Sequence, residues 1–198
     1  MSIHISARPI FWEQNPFWID IYRTKDNIKI VYSIQTGKRQ DLLNADKDYA
    51  SFQQVILNLP NADSVQKTWY RLHIDSIYNQ YELIQRKYAI CDKDSLLLDR
   101  QNVASYDGLL NRINLADTAE LENRPHGRSR NLGDDRPVLD GEDFEFTINA
   151  ISGTKKVQAH SPDPSWKPLL YSLLTETLSI YRDTKNNTFL DKQKTFGY

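Results

Sequence analysis

The stretch FWIDIYRTKDNIKIVYSI, Phe17–Ile34, decides the fold class. Phe17, Ile19 and Ile21 alternate with Trp18, Asp20 and Tyr22, the period of two that marks a strand with two unlike faces. Lys25–Asn27 is polar and reads as a turn, and Ile28, Ile30, Tyr32 and Ile34 then alternate with Lys29, Val31 and Ser33. Two alternating runs joined by a short polar link predict a β-hairpin, so the sheet they start is antiparallel.

Downstream, Tyr49, Phe52, Ile56 and Leu59 recur at spacings of three and four, one face of a helix over Asp46–Leu59 that Asp46 or Asp48 can cap and Pro60 ends. Thr68–Ile77 alternates again, with Tyr70, Leu72 and Ile74 against Trp69, Arg71, His73 and Asp75, and is expected as a third strand. The run Tyr81–Ile90 fits either period; its β-branched and aromatic content and the short link before it favour a strand paired with the third. SLLLDR, from Ser95, reads as another short strand. Ser105 opens a short helix through Leu109, Leu110, Ile113 and Leu115, and Ala116–Leu121 adds about a turn. Asp143–Ala150 is a strand with Phe144, Phe146 and Ile148 inward, and KKVQAH returns after a Ser-Gly turn. The most regular helix follows Asp163-Pro164, with Trp166, Leu169, Leu170, Leu173, Leu174, Leu178 and Tyr181 in one apolar stripe.

The order predicts an α+β fold: a mainly antiparallel sheet built from hairpins, with about three helices packed on one face. Residues 1–182 are expected to form a single domain and 183–198 a polar, flexible tail, apart from Phe189, Leu190, Phe196 and Tyr198. The 198 residues suffice for a real core. A net charge of -1 argues against a nucleic-acid partner, which a strongly basic surface would attract. The one cysteine, Cys91, cannot close an intramolecular disulfide, which suits a reducing compartment. The opening residues lack a basic segment followed by an apolar run, and no stretch approaches the ~18 apolar residues of a membrane span. The expected location is the cytoplasm, with no membrane partner.

Chemistry concentrates in NRPHGRSRNLGDDRP, Asn123–Pro137. Arg124, Arg128, Arg130 and Arg136 carry planar guanidinium groups suited to gripping carboxylates or phosphates, and Gly127 and Gly133 let a backbone come close to a ligand. The acids Asp134, Asp135, Asp140, Glu142 and Asp143 can equally pair with these arginines and order a connector. His126 has the chemistry of a general base, but the sequence fixes no nucleophile beside it. His73 and Asp75, with His4 or His160, were they together, are the one candidate metal set; the chain has no HExxH or CxxC spacing, so no metal is expected. There is no GxSxG, Walker A loop or GxGxxG, and no catalytic residue or cofactor is assigned. Trp12 and Trp18 sit in a cluster with Phe11 and Phe17, flanked by Pro9 and Pro16. Tryptophan and arginine are the residues that anchor protein interfaces. The expected partner-binding set is therefore Trp12, Trp18, Arg124, His126, Arg128 and Arg130.

The C-terminal run Leu139–Arg182 resembles small bacterial proteins, some of them immunity proteins of toxin systems, in its Leu-Asp-Gly strand entry, hairpin, Ser-Pro turn and Leu-rich helix ending in Tyr-Arg. That resemblance covers about a quarter of the chain and implies a non-catalytic protein that binds a protein partner, such as a toxin. Two alternatives stand beside it: an enzyme on a phosphorylated or carboxylated small molecule, using the arginines as a clamp and His126 as base, and a regulatory nucleic-acid-binding module.

Overall fold

A computed structural model describes residues 1–9, 15–58, 63–122, 142–150, 153–185 and 187–198. The chain divides into two compact units, residues 1–34 with 93–198, and residues 35–92. The division falls inside two strands, β3 (Asn27–Lys38) and β4 (Ala89–Asp99).

The first unit is organised by an antiparallel sheet of six strands in the order β4-β3-β2-β1-β5-β6. The predicted hairpin is β2 (Phe17–Arg23) with β3, in a register that sets Ile19 against Tyr32 and Ile21 against Ile30. Its turn is closed by Thr24, whose amide and hydroxyl both donate to the carbonyl of Asn27 at 2.9 Å. β5 (Glu142–Ala150) and β6 (Gly153–His160) form the second predicted hairpin. What joins the two hairpins is β1 (Ser2–Pro9), which pairs with β2 on one side and β5 on the other. Ile3, Ile5 and Ala7 of β1 fall in line with Phe17, Ile19 and Ile21 and with Phe144, Phe146 and Ile148, so one face is apolar across the strands.

Two helices cover that face. α4 (Ala104–Leu115) contributes Leu109, Leu110 and Ile113, and α6 (Pro168–Thr184) contributes Leu170, Leu173, Leu174 and Leu178. α6 is fastened by polar pins where its apolar stripe meets three tyrosines. Tyr32 Oη donates to the carbonyl of Thr177 at 2.8 Å, and the hydroxyls of Tyr106 and Thr177 lie 2.7 Å apart. Tyr181 packs edge-on against Tyr32 and donates to Asp94 Oδ2 at 2.7 Å. Burial raises all three phenols, Tyr181 to about 12, so they stay protonated donors.

Several expectations are corrected at element ends. Ser105 does not cap α4, which follows Val103 without a side-chain cap. Asp163 caps a tight turn, accepting from the amides of Ser165 and Trp166 at 2.8 Å, and α6 begins later, with Pro168 in its first turn. The segment after Asp183 packs on the core through several of its side chains. Leu190 and Thr195 are buried, and Arg182 donates to the Leu190 carbonyl at 2.7 Å. Phe196 packs on Phe17, and Tyr198 packs edge-on against Phe144. Phe189, Leu190, Phe196 and Tyr198, the apolar exceptions in this polar stretch, are the side chains that pack on the core. The short helix α5 (Thr118–Leu121) matches the extra turn expected there and is capped by Asp117.

The second unit contains α1 (Gln40–Ala45), α2 (Lys47–Asn58) and α3 (Ser64–Lys87). Of the two candidate caps, Asp46 caps α2, accepting from the amides of Asp48 and Tyr49 at 2.9 and 3.2 Å. It also accepts from Tyr88 Oη at 2.7 Å, which with these amide bonds holds its carboxyl at about 2. The strands expected at Thr68–Ile77 and Tyr81–Ile90 are instead the single helix α3, with β4 beginning only at Ala89. Asp63 accepts from the Gln66 amide at 2.8 Å while the Gln66 side chain accepts from the Asp63 amide at 3.2 Å, a capping box that fixes the helix start. Residues Tyr70, Ile77, Tyr81, Ile84 and Tyr88 share one helical face, and Tyr81 stacks on Tyr49 at 5.5 Å.

Core truncation separates the packed face from exposed leucines of the same unit. Leu174→Ala, at a fully buried position, is expected to cost about 2–5 kcal/mol in urea unfolding, and Leu115→Ala, at a position 74% exposed, no more than about 0.5 kcal/mol.

Candidate interaction surface

Of the expected binding residues, Trp12, Arg124, His126, Arg128 and Arg130 lie outside the described residues. Trp18 lies in β2 on the face opposite the apolar core, and it is only 5% exposed. It is thus no surface anchor in this structure. It stands in a row with Ser33 and Ser6, both buried, and with Glu145 on β5. The register also sets Pro9 opposite Glu142, so the described ends of the two stretches that carry Trp12 and the arginines adjoin on neighbouring strands.

The same face carries two histidine–aspartate pairs. His4 Nδ1 is 2.6 Å from Asp20, and His160 Nδ1 is 2.9 Å from Asp143. His4 faces Thr147 on β5, four residues from Asp143, so the pairs are roughly 13 Å apart along the strand and do not converge. Arg8, opposite Asp143, pairs at 3.7 Å with Glu145, which lies between the two rows. Among the described residues no three His, Cys, Asp or Glu side chains are grouped to hold a metal ion. His73, expected beside Asp75 on a strand, is instead on the helix α3, where its ring stacks on Trp69 at 4.4 Å.

A polar cleft of about 410 Å³ opens between the β2–β3 turn and the start of α4, lined by Lys25, Asp26, Asp99, Arg100 and Asp107 among others. Its charges answer one another. Asp107 receives Arg23 through Nε at 2.7 Å and a second nitrogen at 2.9 Å, and receives Arg100 through two bonds of 2.7 Å. Arg100 spends its remaining nitrogen on the carbonyls of Thr24 and Lys25. The two guanidinium groups hold the Asp107 carboxyl well below the usual carboxylate range. The cleft therefore ties the turn of the first hairpin to α4.

Among the described residues, large exposed apolar side chains are most numerous on α3. Val65, Trp69, Leu72 and Leu83 are 76%, 51%, 77% and 65% exposed. Val65, Trp69 and Leu72 follow one another at helical spacing, and Leu83 falls on the same side about three turns further on, beyond the exposed Ser76 and Gln80; this side lies about a third of a turn round from the face that carries Tyr81 and Ile84. The sequence signal for this stripe was present, but a strand reading scattered it over two faces. No described helix is long and apolar enough to cross a membrane.

The Asp107 cluster sets an acid response. Because its folded-state pKa is depressed, its contribution is complete above the unfolded carboxylate value and is lost as pH falls below that range. Asp107→Asn should lower stability at neutral pH and flatten the fall in stability below pH ~4, read from urea midpoints measured across the acid range.

Compared with known protein families, curated proteins and solved structures, the chain matches none.

Proposed function

We propose that this protein works by binding another protein, as a non-catalytic factor of the cytoplasm. The observation that supports the reading is the α3 stripe of Val65, Trp69, Leu72 and Leu83, four large apolar side chains held in water along one helix. Keeping these side chains exposed forgoes the ~1.5–3 kcal/mol that burial of each contributes, and a cluster of exposed apolar side chains such as Val65, Trp69 and Leu72, on successive turns, is the kind of surface that marks an interaction site. Trp69 is the natural anchor: a large, rigid, half-exposed ring, stacked on His73 and flanked by Leu72. The resemblance of Leu139–Arg182 to immunity proteins makes a toxin the first partner to try.

The test is capture of a partner by wild type and by Trp69→Ala/Leu72→Ala, both changes falling at exposed positions. A stoichiometric protein bound by wild type and lost in the double variant, with unchanged circular dichroism, is the expected result. Equal capture by both forms removes α3 from the contact. An Arg124→Ala/Arg128→Ala/Arg130→Ala variant tests the arginine-rich stretch separately.

A further inference from the structure

The two edges of the sheet differ. On β6, Lys167 Nζ donates to the carbonyl of Gln158 at 2.7 Å, and Lys155 Nζ reaches across to the carbonyls of Asn114 and Ala116 at 2.6 and 2.7 Å. That edge is fastened to its own chain. On β4, which ends the sheet among the described residues, the outer side carries no strand. We propose that this edge, over Lys93–Asp99, pairs antiparallel with the same edge of a second copy of the chain, in a register centred on Leu96.

The direction of the backbone groups follows from the strand's end. The Arg100 amide donates to Asp26 at 3.1 Å, toward β3, so even-numbered positions turn their hydrogen-bonding groups inward and Lys93, Ser95, Leu97 and Asp99 turn theirs out. The Ser95 amide fits this: it meets the Asp94 carboxylate at 2.7 Å, a bond a neighbouring strand can replace. Side chains alternate to match. Asp94, Leu96 and Leu98 face the core side, where Leu96 is buried and Asp94 accepts from Tyr181. Lys93, Ser95, Leu97 and Asp99 are exposed on the other side.

Charge fixes the occupant. A lysine on an edge strand ordinarily deters pairing. Here the only lysine of the stretch is six residues from Asp99, and the register centred on Leu96 sets each Lys93 against Asp99 of the other copy. The same register lays Leu97, 70% exposed, beside Ser95 of the other copy, and Leu96 beside Leu96 across the two-fold axis. Asp99 spends one carboxylate oxygen on the Gln101 amide, at 2.9 Å. Registers shifted by one step in either direction bring Ser95 against Ser95 or Leu97 against Leu97 and leave the charges unmatched. The strand is thus complementary to itself in one register, the requirement of a two-fold interface.

The experiment is sedimentation equilibrium on the full chain, with hydrogen exchange at the Lys93 and Leu97 amides. A monomer–dimer equilibrium is expected, with both amides slowing as concentration rises. Lys93→Asp and Asp99→Lys each set like charges opposite one another twice per dimer and should weaken dimerisation about tenfold or more. The double variant Lys93→Asp/Asp99→Lys restores the pairs and should regain wild-type affinity. A chain that stays monomeric up to about 1 mM, the weakest affinity worth counting, overturns the proposal. So does a dimer indifferent to both single changes, or a double variant as weak as the singles. If Asp99→Lys misfolds through loss of the Gln101 bond, Leu97→Lys gives the same reading: a weakened dimer supports the pairing and an unchanged one refutes it.

Discussion

The pairing of β1 on both its edges is the constraint on which the first unit depends. Residues Ser2–Pro9 hydrogen-bond to Phe17–Arg23 on one side and to Glu142–Ala150 on the other, so one eight-residue strand joins two hairpins that are far apart in the chain. Without it each hairpin has too little apolar surface to stand alone. With it, one continuous face is presented to α4 and α6, and that face is where the buried isoleucines and phenylalanines meet the leucines of the helices. The tyrosine pins add direction to an attraction that has none of its own. Thr177, at the centre of α6, takes hydrogen bonds from both the sheet and α4, which selects one rotation of the helix over the others that would bury its leucines equally well.

Both hairpins were legible because each is local: alternation and a nearby turn specify it without knowledge of the rest. β1 carries the same alternation in Ile3, Ile5 and Ala7, but its partners lie up to some 140 residues away, and nothing local announces them. The strand reading of Thr68–Ile77 failed for the opposite reason. Trp69, Tyr70, Ile74 and Ile77 have strand-forming side chains, and over a short window a period of two and a period of 3.6 share several positions. Asp63 and Gln66 were the better signal, because a capping box answers the free amides of a helix start and has no use in a strand. The Asp46 cap was readable for the same physical reason.

For the candidate site, residue type was a poor guide to exposure. Trp18 has the side chain of an interface anchor, yet it sits in a strand flanked on both sides and is buried on the face away from the core. Trp69, placed by the sequence on a strand, is half exposed on a helix. Composition states what a surface can be made of; only the register and the helix phase state which side chains reach it. The polar clusters of the first unit, the Asp107 knot among them, bind elements of the fold to one another. Among the described residues, exposed large apolar side chains are most numerous on α3.

The position of α3 in the chain has a consequence for how such a protein changes over generations. β3 and β4 are neighbours in an antiparallel sheet, so residues 39–88 stand where an ordinary hairpin would have a few turn residues. The main buried cluster is drawn from residues on either side of that insertion. On the proposed reading of α3, substitutions along Val65, Trp69, Leu72 and Leu83 fall where they alter the contact surface while the main buried cluster keeps its packing. If α3 is the contact, a lineage that must follow a changing partner gains most from this separation, because variation in that helix is freed from the selection that preserves the core.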